Sequence, residues 1–162
     1  MFAKALGVLI AAAVIGLPVT ASAKVKRVIA TATVQANQAW QKVAIVPHGR
    51  GVLRFRTDGI WVFNPSQRAV DGDGAESLST AGRINYTFGG TDGREGQLIG
   101  KIGRGKPFVA GAHGVHKVKR GETGPLYLSI NDDIKQIAGN GLADNSGQLR
   151  VTVEYEVPRV RK

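Results

Sequence analysis

Toward the end of the chain, an oxygen-rich stretch lies between two apolar runs. Leu126-Tyr127-Leu128-Ser129-Ile130 leads into Asn131-Asp132-Asp133, and Asp144-Asn145-Ser146-Gly147 leads into Leu149-Arg150-Val151-Thr152-Val153. A hard cation such as Ca²⁺ takes six to eight oxygens from carboxylates, amide carbonyls and backbone carbonyls, and a loop held between two strands can present several of them. Two carboxylates brought together without a cation repel each other, more so where water is partly excluded. Asp, Asn and Gly are also the ordinary residues of turns, so on residue chemistry alone ion binding and plain turn formation stand level.

The elements around this stretch read as strands. Short runs rich in Val, Ile and Thr recur between Gly, Asn and Asp, and none keeps a helical period. The pattern predicts strands at 27–35, 40–46, 52–57, 60–63, 83–88, 97–102, 107–110, 115–119, 126–130 and 148–157. Val52, Arg54 and Arg56 alternate with Leu53, Phe55 and Thr57, as a half-buried strand requires. Many short strands with turn residues between them, and no helices to cross over, predict an all-β sandwich or barrel rather than a parallel βαβ sheet. The polar segment 65–82 and the turn cluster 89–93 read as connectors.

Residues 1–23 carry one early charge, Lys4, an apolar run, Pro18 and the small-x-small sequence Ala21-Ser22-Ala23. That is the pattern of a cleaved secretory signal peptide, and its apolar run is short for a membrane span. The expected organisation is a signal peptide at 1–23, one domain at 24–157 and a basic tail at 158–162, with the protein exported to the periplasm or beyond. No other apolar stretch approaches membrane-spanning length. The 162 residues include no cysteine, so the exported fold has no disulfides and must rely on core burial and any bound ion. Its 22 glycines suit tight turns between short strands.

The formal charge of +10 would attract anionic polymers such as lipopolysaccharide or other anionic polysaccharide. Recognition of such polymers without calcium is the alternative function. Nucleic acid is the least favoured of the polyanions, because the few aromatic residues are not interleaved with the basic ones in sequence.

Several motifs fail on inspection. Gly100-Lys101-Ile102-Gly103-Arg104-Gly105-Lys106 has P-loop spacing, but Pro107 replaces the Mg²⁺-binding hydroxyl and no helix follows, so a glycine turn is expected. Asp71-Gly72-Asp73-Gly74 opens like an EF-hand loop but ends on Gly82 where a bidentate glutamate belongs. His113 and His116 are neighbours without an acid or thiol close by in sequence, and read as strand and turn residues rather than metal ligands. With no Gly-x-Ser-x-Gly elbow and no cysteine nucleophile, the chain is expected to bind rather than to catalyse.

One ordered set of segments resembles a known family. Gln97-Leu98-Ile99-Gly100-Lys101-Ile102-Gly103, Pro107-Phe108-Val109-Ala110-Gly111, Gly124-Pro125-Leu126-Tyr127-Leu128, Asn131-Asp132 and Asp144-Asn145-Ser146-Gly147 are similar to the calcium-dependent galactophilic bacterial lectins, with weaker likeness at Gln38-Ala39-Trp40 and Gly59-Ile60-Trp61. The resemblance implies a galactose-binding-domain-like jelly roll of two antiparallel sheets. It implies one Ca²⁺ held by the side chains of Asp132, Asp144 and Asn145, with Phe63 giving a backbone carbonyl, and a glycan whose adjacent hydroxyls complete the coordination. Two departures are plain: the loop between Asp132 and Asp144 is longer than in the family, and 65–82 lacks the family's sugar-binding histidine and glutamine.

Overall fold

A computed structural model describes residues 25–76, 86, 88, 93–137 and 140–157. Eight strands follow in chain order: β1 Val25–Gln35, β2 Gln41–Val46, β3 Gly51–Val62, β4 Leu98–Ile102, β5 Phe108–Val109, β6 Val115–Val118, β7 Gly124–Ile130 and β8 Ser146–Val157. They form two four-stranded sheets, ordered β1-β8-β3-β6 and β2-β7-β4-β5, and every pairing is antiparallel. Successive strands alternate between sheets at the start, and the last strand returns between β1 and β3. That is a jelly roll, the arrangement by which an antiparallel sandwich covers one apolar face with another. No α-helix occurs among the described residues, and none there is long and apolar enough to cross a membrane.

The period-2 pattern explains which faces meet. Along β3, Gly51, Leu53 and Phe55 are buried while Val52, Arg54 and Arg56 turn outward. The inner faces of both sheets contribute Val34, Val46, Leu53, Phe55, Trp61, Leu98, Leu126, Leu128, Leu149, Val151, Val153 and Tyr155 to one core. Burying such side chains is worth about 1.5–3 kcal/mol each for the larger aliphatics and aromatics, which supplies cohesion without disulfides.

Differences from the sequence reading have local causes. The strands expected at 52–57 and 60–63 are one strand, because the ladder with β8 runs on through Asp58↔Arg150 and Gly59↔Leu149. Gly59 has φ 104, and a Cβ there would lie 2.8 Å from the Gln148 carbonyl oxygen, so this glycine permits close strand approach instead of ending the strand. Trp40 stands before β2 in a turn, with φ 45. Pro107, Ala110 and Lys119 fall just outside their strands. The expected strand at 83–88 lies outside the described residues except Tyr86 and Phe88, as do the signal peptide, the basic tail, the far end of the 65–82 connector and all but Gly93 of the 89–93 turn.

Candidate functional site

The site expected at Asp132, Asp144 and Asn145 is built where the two sheets meet at one end. Asp132 follows the last residue of β7, and Asp144 and Asn145 precede β8. Asn131 fixes the first of these positions. It is fully buried, its backbone N–H donates to the Gln97 carbonyl at 2.7 Å, and its carbonyl accepts from Gly96 at 2.9 Å. Its side-chain Nδ2 donates to the Tyr86 and Arg94 carbonyls, and its Oδ1 accepts from the Tyr86 N–H, each at 2.9 Å. A buried amide with all its groups engaged leaves little freedom to the residue after it.

The second position depends on β8. Gly147 pairs with Trp61 and has φ 85, and a Cβ there would stand 2.8 Å from the Ile60 carbonyl oxygen and 2.9 Å from the Trp61 Cα. Only glycine keeps that ladder closed. The same register continues through Val62↔Ser146, which carries Phe63 to the level of Asn145. The Phe63 ring is buried against Gly96, where a Cβ would lie 2.6 Å from Cδ1. Trp61, only 1% exposed, donates its indole N–H to the Gly96 carbonyl at 2.7 Å. Phe63, Trp61 and the 94–97 segment therefore brace the same loop end.

The described residues between the two acids form turns. Asp133 is buried, and its Oδ1 accepts the Ile137 N–H at 2.9 Å, so this acid caps a turn. Gly141 adopts φ 59, Leu142 drops into the core, and the Asn145 N–H closes back on the Leu142 carbonyl at 3.3 Å. The extra residues thereby return Asp144 and Asn145 to the level of Asp132.

Burial pushes the Asp132 carboxyl above its ordinary value. A hydrogen bond from the Asn145 side chain and one from the Asp133 backbone oppose this, while the nearby charges of Asp144 and Glu95 add to it. Asn145 also donates its Nδ2 to the Ala36 carbonyl at 3.3 Å, and its Oδ1 is buried without a hydrogen-bond partner. The Asn145 amide thus bonds Asp132 through its nitrogen while its oxygen lacks a donor, and burial disfavours the charged form of Asp132 unless a cation compensates it. No three His, Cys, Asp or Glu side chains among the described residues converge on a point that could hold a metal. Asp132, Asp144 and Asn145 carry oxygens of the kind a hard cation takes, carboxylates and an amide carbonyl.

Next to Phe63 opens a cavity of about 780 Å³ whose lining includes Gln67, Arg68, Val70, Ala75 and Glu76. It lies along the described part of the 65–82 connector and is lined by both polar and apolar side chains. Glu95 was not identifiable from sequence; it is a single acid in a turn, brought to Asp132 by the pairing of 96–97 with Asn131.

The dismissed motifs have structural roles. The P-loop-like stretch is the end of β4 and the turn that follows it toward β5, with Gly103 at φ 55. In the EF-hand-like stretch, Asp71 Oδ1 accepts the Asp73 N–H and Asp73 Oδ1 accepts the Ala112 N–H, at 2.8 and 2.7 Å. Two expectations are corrected. His116 does have an acid neighbour, Glu122, at 3.4 Å, and stacks on Phe108 with ring centroids 3.7 Å apart. Aromatic and basic residues, separate in sequence, are brought together by the fold: the Lys101 Nζ stands 4.0 Å from the Trp40 ring centroid.

No protein-family model matches the chain, and no curated protein matches it. Among solved structures, the chain is similar to the "EclA N-terminal domain; PllA-like lectin", with 17% identity and a TM-score of 0.55 over 79% of this chain and 97% of that one. At that identity the likeness establishes a shared fold.

Proposed function

We propose that this chain is an exported carbohydrate-binding module that recognises adjacent sugar hydroxyls through Ca²⁺ held by Asp132, Asp144 and Asn145 side chains and the Phe63 carbonyl. The observations that carry the reading are that the Asn145 side chain reaches Asp132, that its own Oδ1 is buried without a donor, and that the Asp132 carboxyl is raised by burial and by the neighbouring Asp144 and Glu95 charges. Similarity of fold to a PllA-like lectin supports the sugar half of it. Calcium bound there would offer open coordination positions to vicinal hydroxyls. The protein's own part is to hold the oxygens apart from competing donors, through Asn131, Gly147 and the Trp61–Gly96 bond, and to offer Gln67, Arg68 and Glu76 to the rest of the sugar.

Thermal unfolding with calcium and then with chelator, followed by a glycan array under both conditions, tests the proposal. Calcium should raise Tm, and chelator should abolish retention of neutral glycans. Asp132→Ala and Asp144→Ala should each remove both effects. A variant that keeps the full calcium shift shows that its residue is not a ligand, and retention confined to acidic glycans, sensitive to salt but not to chelator, favours polyanion binding instead.

A further inference from the structure

On the outward face of the second sheet, Lys42, Tyr127 and Lys101 form one row, since Lys42 and Lys101 are the register partners of Tyr127 on either side. The Lys101 Nζ lies 4.0 Å from the Trp40 ring centroid and 5.7 Å from that of Tyr127. Tyr86 meets Trp40 edge-on at 6.2 Å, and Lys135 stands 5.9 Å over Tyr86. Neither Lys42 nor Lys101 forms an ion pair with any described carboxylate.

Trp40 is held in place by design of the turn before β2. Its φ of 45 is uncommon for a bulky residue and must be enforced. The Gln41 side chain enforces it: Oε1 accepts the Gln35 N–H at 2.9 Å, and Nε2 donates to the Gln35 and Gln38 carbonyls at 2.8 and 2.9 Å. An indole so braced needs little further ordering when a ligand arrives.

We infer that the Lys42–Tyr127–Lys101 row with Trp40 is a second, calcium-independent saccharide site that takes an anionic sugar, a pyranose bearing carboxylate or phosphate. Aromatic rings cover the apolar C–H face of a pyranose, and an ammonium held against ring faces keeps donors for an anion. Burial lowers the Lys101 pKa from its ordinary value, the mark of an incompletely hydrated cation that gains from an anionic partner. Three side chains in a fixed register, with Trp40 set against Lys101 from the turn before β2, also distinguish this row from the diffuse charge of a +10 chain. The site is independent of whether an ion occupies the Asp132 end.

The test is titration calorimetry of the full chain, in chelator, with oligogalacturonide, with a phosphomannan oligosaccharide, with neutral galactan oligosaccharide and with oligo-dT. One or both acidic saccharides should bind, the neutral one should not, and oligo-dT should be at least tenfold weaker. Lys101→Gln and Trp40→Ala should each weaken binding tenfold or more, Lys101→Arg should restore most of it, and Lys106→Gln, in the turn outside the row, should change nothing. Tyr127→Leu provides a further variant should Trp40→Ala fail to fold. Absence of acidic-saccharide binding, equal affinity for oligo-dT, or equal losses in Lys101→Gln and Lys106→Gln would overturn the inference.

Discussion

The Asp132 end and the Lys101 row share strand β7 and are built in opposite ways. The first consists of loop residues, acids and an amide, with Asp132 partly desolvated, and is the end proposed to hold a cation. The second consists of strand residues in register, of the other sign, with their charges spread over aromatic faces. Loop acids require backbone bracing to converge, and this comes from Asn131, Trp61 and Gly147. The row needs only the ladder, since pairing across an antiparallel sheet places partner side chains on one face. The proposed cation and anion sites could thus sit on one chain, Tyr127 and Asp132 being separated by roughly 16 Å of extended chain.

Removing calcium should produce the largest effect and should divide the two regions cleanly. With calcium a hundredfold above its Kd, stability rises by about 2.7 kcal/mol, a shift of several degrees in Tm, which Asp132→Ala eliminates while acidic-saccharide binding at the Lys101 row stays unchanged. Trp61→Phe comes next. It leaves the buried Gly96 carbonyl without its indole donor, at a cost of about 1–3 kcal/mol in denaturant unfolding, and should reduce the calcium shift more than it reduces binding at the row.

A finer measurement is the double variant Asp132→Ala/Lys101→Gln. Its loss of folding stability should equal the sum of the single losses within about 0.5 kcal/mol, because the groups share no partner; a larger coupling would join the two regions into one site.

The smallest effect concerns His116, away from both regions. Burial is the main cause that lowers its pKa below 6.5, with Lys119 assisting and Glu122 opposing. As pH falls below 6.5, the unfolded chain gains a proton that the folded imidazole resists, so stability declines toward acid. His116→Phe should flatten that part of a Tm-against-pH curve by a small but measurable amount, and should leave ligand binding at both regions intact.

Much of this was legible before the fold was known, and for local reasons. Alternation in β3, the apolar runs of β7 and β8 and the glycine turns are short-range signals, and they place most strands to within a residue or two. The acids of the calcium proposal could be read because they flank strands that lie in sequence beside them. Glu95 and the Lys101 row could not be read, because they depend on which strands pair. The break expected between the strands at 52–57 and 60–63 is a strand interior, since the β3–β8 ladder spans Asp58 and Gly59. Asp133 looked like an equal member of the acid cluster and instead caps a turn.

Sequence alone therefore determined the class of fold, the strand faces and the oxygen-rich loop, because period and turn chemistry act over a few residues. Only the tertiary structure decided that Asn145 would leave an oxygen without a donor, that Trp40 would sit beneath Lys101, and that Glu95 would join Asp132. Those facts follow from the register of strands distant in the chain, and register is selected by the packing of the whole core at once, not by any single segment.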